Sequence, residues 1–337
     1  MSLRVLKPGL QTTIQDTGRH GYAALGVGTA GAMDDVALRL ANALVGNACG
    51  AAALEMTMIG AELHIKRDSA IALTGAETEL RLIAPDGRTT MLSMWRPLQL
   101  RAGSVLACGK MRRGARSYLA VAGGLAPTRL LGSAATDINA RLGPFGGRAL
   151  RAGDVLDIGP VQDDERNVVA QSDTEDPDGA SPTWSLDPRP WYADSEQPLR
   201  VLRGSHFDAL DHASQQRLFD VEFRISADSN RVGLRLDGPR LVLSEPIDLV
   251  TEPVATGTLQ LPPDGQPIAL MVEHPTTGGY PRIGQIAAID LARLGQRRPG
   301  DALRFAPIAL DDAQSRYLAR ERELARLIET IARRRAR

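Results

Sequence analysis

The chain is poor in cysteine. It has two in 337 residues, Cys49 and Cys108, far apart and without a Cys-x-x-Cys spacing. A disulfide scaffold and a cysteine-built zinc site are therefore not expected, both residues read as small core side chains, and a reducing cytoplasm is the expected compartment. An excess of charge is also missing: Lys plus Arg and Asp plus Glu are 40 each. That removes the electrostatic case for nucleic acid or an anionic membrane as a partner. No apolar run reaches the length needed to span a bilayer, and Leu3-Arg4-Val5-Leu6 opens the chain as a strand rather than a signal peptide.

Familiar catalytic and cofactor motifs are also lacking. The five histidines, His20, His64, His206, His212 and His274, include no pair at the i, i+4 spacing of a helical metal site. Gly26-Val27-Gly28-Thr29-Ala30-Gly31 fits a dinucleotide fingerprint formally, with Glu55 downstream. It lacks the buried strand in front and the alternating strands and helices behind, so it reads as a loop ahead of a helix. Gly103 to Gly109-Lys110 has the wrong glycine spacing for a phosphate loop, and Met111 replaces the Ser or Thr. There is no G-x-S-x-G elbow, and Lys110-Met111 lacks the preceding methionine of a biotinylation site. No cofactor or metal is expected to bind this chain directly.

What is present is mainly β. Ala61–Lys66 and Glu79–Ile83 alternate, while Ser117–Ala122, Leu241–Leu243 and Ala269–Val272 are short apolar runs of strand length. Asp86-Gly87 and Asp264-Gly265 mark hairpin turns. Two helices stand out. Over 34–45, Met33, Val36, Ala37, Leu40, Ala41 and Leu44 share a face between Asp34 and Gly46, a capping pair. Over 311–335, Tyr317, Leu324, Leu327, Ile328 and Ile331 form a stripe ending in arginines. Residues 160–198 are acidic and proline-rich and read as a linker, with Trp184 and Trp191 pinning it to a domain surface. The flanks echo each other. Leu3–Leu6 recurs as Leu199–Leu202, and Leu150–Leu156 recurs as Arg298–Leu303. The expected organisation is an N-terminal β-domain over 1–159, a linker over 160–198, a second β-barrel domain over 199–309 and a C-terminal helix over 310–337.

One stretch is chemically conspicuous. After the apolar run Ile268–Val272 comes Glu273-His274-Pro275-Thr276-Thr277-Gly278-Gly279-Tyr280-Pro281. Glycines admit close approach and positive φ. Hydroxyls and free main-chain N–H groups can hold a developing oxyanion. His274 lies within the loop, and His206 follows the strand at Leu199–Leu202. Either can serve as an acid or base near neutral pH, or act as a hydrogen-bonding loop residue.

That string resembles the allophanate hydrolase subunit 2 family, also called the biotin-dependent carboxyltransferase-like family or the family of the 5-oxoprolinase C subunit. Four further blocks carry the resemblance: Pro8–Arg19, Gly31–Asn47, Arg116–Gly124 and Gln260–Pro267. The resemblance implies two cyclophilin-like β-barrel domains. It implies work beside a partner of the allophanate hydrolase subunit 1 type (the B subunit of 5-oxoprolinase), with the 5-oxoprolinase A subunit as a possible third member. ATP or carboxybiotin would reach the reaction through those partners. Three functions follow from it: one subunit of an ATP-dependent 5-oxoprolinase-like amidohydrolase, inactive alone; a carboxyltransferase component for urea or another amide; or a Kip-type regulatory protein that turns nothing over. Carried over by position, His206, Thr276, Thr277, Gly278, Gly279 and Tyr280 would form the catalytic site. Gln260, Pro263 and Gln266 would form a facing turn, with His274 beside them. Asp16, Arg19 and Tyr22 would bind substrate or contact the partner, unless Asp16 and Arg19 simply pair and hold their loop. Two positions depart from the family pattern: Pro275 stands where Gln is common, and Ala30 where Ser is common.

Overall fold

The computed structural model describes residues 2–160, 184–192 and 197–335. Most of the linker expected over 160–198 lies outside them. Packing divides the chain into two units. One holds residues 1–19, 34–191 and 324–337, and the other holds 20–33 and 192–323. Both are mainly β, each built on a curled, barrel-like sheet.

Unit 1 contains β1 (Ser2–Lys7), β2 (Gln11–Gln15), α1 (Asp35–Val45), β3 (Ala53–Thr57), β4 (Glu62–Ile65), β5 (Ser69–Ile83), β6 (Thr89–Leu92), β7 (Pro97–Leu100), β8 (Val105–Val121) and β9 (Val155–Asp157). Its strands run in the order β2-β3-β8-β4-β1-β9, with β5 pairing β6, β7 and β8. Inward residues such as Leu3, Val5, Leu54, Leu63, Leu73 and Leu119 make one core. α1 begins where the Asp34 carboxylate accepts the Ala37 N–H at 3.0 Å and ends at Gly46, in the left-handed region at φ 86°. The sequence points to one apolar face, but nine of the eleven helical residues are buried. The Trp184 ring lies under the Arg334 guanidinium, 5.8 Å from its centroid.

Unit 2 contains β10 (Leu199–Arg203), α2 (His212–Asp220), β11 (Phe223–Ile225), β12 (Gly233–Asp237), β13 (Glu252–Pro253), β14 (Thr258–Gln260), β15 (Ile268–Leu270), β16 (Thr277–Gly278), β17 (Arg282–Ile286), α3 (Leu291–Gly295), β18 (Ala302–Leu303) and β19 (Phe305–Pro307). The sheet order is β18-β11-β12-β15-β14-β17-β10-β19, and β13 with β16 forms a separate two-stranded ribbon. Its core centres on Leu199, Phe223, Leu236, Leu259, Phe305 and, from the 20–33 segment, Met33. α4 (Leu310–Arg335) crosses the division at residue 324.

Three expectations need correction. Leu241–Leu243 is no strand: the Leu241 N–H goes to Gly265, the Val242 N–H to the Ser214 hydroxyl, and only Leu243 bridges to Leu210. Tyr317 is exposed on α4 and drops out of the expected stripe; Leu324 and Ile331 are buried as expected, together with Ala313 and Arg320, the last stacked 5.1 Å from the Tyr317 ring centroid. The echo between the two halves is a shared turn rather than a shared strand position. Asp154 accepts the Arg151 N–H at 2.7 Å and Asp301 accepts the Arg298 N–H at 2.8 Å. Yet β9 then pairs antiparallel with β1, whereas β18 pairs with β11 and it is β19 that runs parallel to β10.

Candidate functional site

The late loop is built on a buried anchor. Glu273 follows β15 and is almost fully buried, and its Oε1 accepts from Arg231 Nε at 2.5 Å. The Arg231 main-chain carbonyl takes the Glu273 N–H at 2.9 Å, and its Nη2 donates to the Gly31 carbonyl at 2.7 Å. One arginine thus ties the 20–33 segment to the start of the 273–281 loop. A pair this buried is costly to break, because either partner alone would be a bare charge in the core. His274, next in line, is buried with Nδ1 2.7 Å from the Pro275 carbonyl. Burial holds its imidazole below the ordinary histidine range, against a smaller opposing pull from that carbonyl.

Beyond Pro275 the chain becomes the outer strand of the ribbon. Thr277 pairs with Pro253 and Gly278 with Glu252, and the Val254 N–H donates to the Thr276 carbonyl at 3.1 Å. Gly278 and Gly279 do not adopt positive φ. Positive φ is therefore not why glycine is needed here, contrary to what the loop's composition suggests. The reason is room. A methyl group on Gly278 would lie 2.3 Å from Gln260 Nε2, whereas one on Gly279 would meet only Thr251 Oγ1, at 3.6 Å. Gln260 is buried at the end of β14, and its Nε2 has no hydrogen-bond partner among the described residues. Such an orphan in a well-packed region is unusual and costs stability. The Thr276 and Thr277 hydroxyls and the main-chain N–H groups of Gly279 and Tyr280 likewise find no acceptor among the described residues. Thr277, Gly279 and Tyr280 are exposed.

Arg282 joins this ribbon to His206. In the β14–β17 ladder Gln260 stands opposite Arg282, at a bulge where the register skips a residue. The Arg282 guanidinium donates to the Pro253 carbonyl at 3.3 Å and pairs with Glu252. Its main chain is clasped by His206. The His206 N–H donates to the Arg282 carbonyl at 3.0 Å, and the Arg282 N–H donates to His206 Nδ1 at 3.1 Å. The Ser205 hydroxyl is also 3.1 Å from that nitrogen. Nδ1 is thus an acceptor, which assigns the ring proton to Nε2. His206, Gln260, Arg282, Glu252 and Thr276–Tyr280 form one connected neighbourhood.

The remaining candidates lie elsewhere. Gln266 gives Oε1 to the Gly238 N–H at 2.8 Å and Nε2 to the Gly238 carbonyl at 3.0 Å, so its whole amide is engaged. The exposed Pro263 offers its carbonyl to Arg240 Nη2 at 3.2 Å. This turn therefore packs on residues 238–241. Asp16 and Arg19 are in unit 1 and both clasp the loop 130–135. Asp16 accepts from Gly18 N at 2.8 Å, Ser133 Oγ at 2.7 Å and Ala134 N at 2.7 Å. Arg19 donates to the Leu130 and Ala135 carbonyls, and its Nη1 is buried without a partner among the described residues. Tyr22 is half-buried at the start of a turn in unit 2. Among the described residues no group of three or more His, Cys, Asp or Glu could hold a metal ion, and no helix is long and apolar enough to cross a membrane.

Sequence reading missed Arg231 and Arg282. Arg282 is the residue after Pro281, so the loop's own motif pointed one residue short of it. Arg231 sits in a polar turn before β12 with no local pattern to mark it; only the charged Glu273 directly after a buried strand hinted that a buried partner existed.

The chain matches the family described as "Carboxyltransferase domain, subdomain A and B" over residues 25–307. It is 35% identical to the 5-oxoprolinase C subunit of Escherichia coli (strain K12) over 311 residues, covering 92% of this chain and 93% of that protein. The Haemophilus influenzae 5-oxoprolinase C subunit is 34% identical over 303 residues, covering 90% of each. The crystal structure of the K. lactis urea amidolyase matches with a TM-score of 0.82 at 26% identity, over 98% of this chain and 20% of that one.

Proposed function

Because the chain belongs to the carboxyltransferase domain, subdomain A and B family, and is homologous to the C subunit of 5-oxoprolinase, we propose that it is one component of an ATP-dependent, 5-oxoprolinase-like amidohydrolase. It works in the cytoplasm beside partners of the 5-oxoprolinase B and A types, which bring the nucleotide chemistry. The observation that carries this reading is the set of uncommitted donors around Gly278: the Gln260 amide, the two threonine hydroxyls, and the N–H groups of Gly279 and Tyr280.

An amide carbonyl resists attack because resonance stabilises it. Catalysis therefore needs an activated carbonyl and fixed donors for the oxygen as it gains charge. Here the donors are held by a ribbon, a ladder and a buried ion pair, so they need no reorganisation when charge develops. His206 clasps Arg282 and keeps β17 in place beneath them, with its Nε2–H free of that contact. A second reading, a carboxyltransferase component acting on urea or a related amide with carboxybiotin brought by a partner, is favoured by the likeness to the urea amidolyase structure.

The test is co-expression with the homologues of the 5-oxoprolinase A and B subunits from the same genome, followed by 5-oxoproline-dependent ADP release. Turnover is expected only when this chain is present. Gln260→Leu and Thr277→Val should each lower it, by about a hundredfold for the Gln260 variant. Full turnover in both variants would remove the assigned site, and turnover without this chain would remove the function.

A further inference from the structure

Two side chains at this site project together. Gln260 and Arg282 are directly opposed in an antiparallel ladder, so they share a face with Cβ atoms about 5 Å apart. Both reach the β13–β16 ribbon. Gln260 ends against Gly278, and Arg282 ends at Pro253 and Glu252. Neither is fully used: Gln260 Nε2 and Arg282 Nε are buried with no partner among the described residues. The Glu252 partner of Arg282 sits at an open rim, with side-chain exposures of 29% for Arg282 and 45% for Glu252. An ion pair that exposed is worth little and exchanges easily for another carboxylate. Glu252 also follows an exposed stretch, in which Val250 is 84% exposed, so little packing holds it to the arginine.

We propose that Arg282 reads a carboxylate on the substrate, that Glu252 occupies that place while the site is empty, and that Gln260 reads the neighbouring amide carbonyl. The proposal rests on the function proposed above and assigns the side chains that would tell its substrate, a five-membered lactam with a carboxylate on the carbon next to nitrogen, from a neutral amide. Planar, bidentate recognition of carboxylate is what a guanidinium does best. Urea, neutral and without a carboxylate, offers nothing to Arg282. Glu252 then contributes to specificity as well: a neutral ligand gains nothing by displacing it, and an anionic ligand must compete with it.

Titration calorimetry on the full chain, alone and assembled with its partners, compares 5-oxoproline with 2-pyrrolidinone, the same lactam without the carboxylate. The wild-type protein is expected to prefer 5-oxoproline by about tenfold or more. Glu252→Gln should tighten 5-oxoproline severalfold and leave 2-pyrrolidinone unchanged. Arg282→Gln should erase the preference and Arg282→Lys should keep part of it, a graded response that a purely structural arginine would not give. Equal binding of the two lactams by wild type, or a preference that survives Arg282→Gln, overturns the proposal and leaves the amide site standing. Should Arg282→Gln fail to fold, unchanged 5-oxoproline affinity in Glu252→Gln overturns it. Binding of neither lactam, with and without partners, removes the proposed function together with this inference.

Discussion

The opening loop at residues 16–22 and the late loop at residues 273–281 look alike in composition, since both mix glycine, hydroxyl and charged residues. They differ in what their polar groups do. In the opening loop the Asp16 carboxylate answers three donors, and Arg19 answers two carbonyls of the 130–135 loop. At the foot of the late loop the buried Glu273 is likewise engaged, by Arg231 from the turn before β12, but the tip is not. From Thr276 to Tyr280 the hydroxyls and two successive main-chain N–H groups face no acceptor among the described residues, beside an equally uncommitted Gln260 amide. Water can reach the exposed groups at this tip, whereas Gln260 Nε2 is buried without a partner among the described residues, as is Arg19 Nη1 in the opening loop. The Asp16 carboxylate is spent on the fold, and on the function proposed above the donors at the tip of the late loop are the ones a ligand would take.

The largest effect should come from breaking the clasp. Asp16→Ala leaves the Ser133 hydroxyl and the Gly18 and Ala134 N–H groups without an acceptor in a buried place. Losing such a hub should cost about 3 kcal/mol of stability. Thermal and denaturant unfolding would show it as a lower midpoint. The matching change in the other loop, Thr277→Val, should leave that midpoint within about 0.5 kcal/mol of wild type, because the residue is exposed and its hydroxyl is unused in the free chain. Equal destabilisation by the two would erase the distinction between the loops.

A smaller and different effect is expected at Gly278. The methyl group of Gly278→Ala would fall 2.3 Å from Gln260 Nε2 and push the amide out of place. Turnover of the assembled enzyme should drop by about a hundredfold, with little change in melting, because a side-chain end rather than backbone must move. Gly279→Ala meets only Thr251 Oγ1 at 3.6 Å, an ordinary contact, and should stay close to wild type. Identical behaviour of the two alanine variants would show that room for the Gln260 amide is not what Gly278 provides.

Much of this was legible in the sequence, for physical reasons that can be stated residue by residue. α1 was readable because Asp34, Gly46 and the apolar spacing agree with one another. The long strands were readable only in pieces. β5 runs over fifteen residues and β8 over seventeen, but register shifts between Gly75 and Leu80 break the alternation a strand search relies on. α2 was invisible: nine residues with Leu218 as the one buried apolar side chain make no stripe, although Asp211 caps it at Ser214. The late loop was found by composition, yet its glycines were credited with a left-handed bend they do not make. Close approach of a side chain from a distant strand is a tertiary fact, and no local pattern announces that Gln260 will end at Gly278. Arg282 and Glu252 belong to the same class, since they are brought together by β17 and the ribbon.

The smallest expected effect lies at the foot of the late loop and is read by pH. His274 is buried, and that burial keeps its imidazole below the ordinary value of 6.5. The unfolded chain takes up a proton on His274 near its ordinary value, while the folded chain refuses it until the pH is lower. Between those two points the unfolded state binds more protons, so stability rises with pH there. The contribution is therefore complete above the ordinary histidine value and is lost as pH falls through the folded one. Unfolding midpoints measured from about pH 7.5 down to about pH 5.5 should decline in wild type. His274→Gln should flatten the decline. A slope that persists in His274→Gln would mean that another group carries the acid sensitivity, and that the buried foot of the late loop is not where protonation acts.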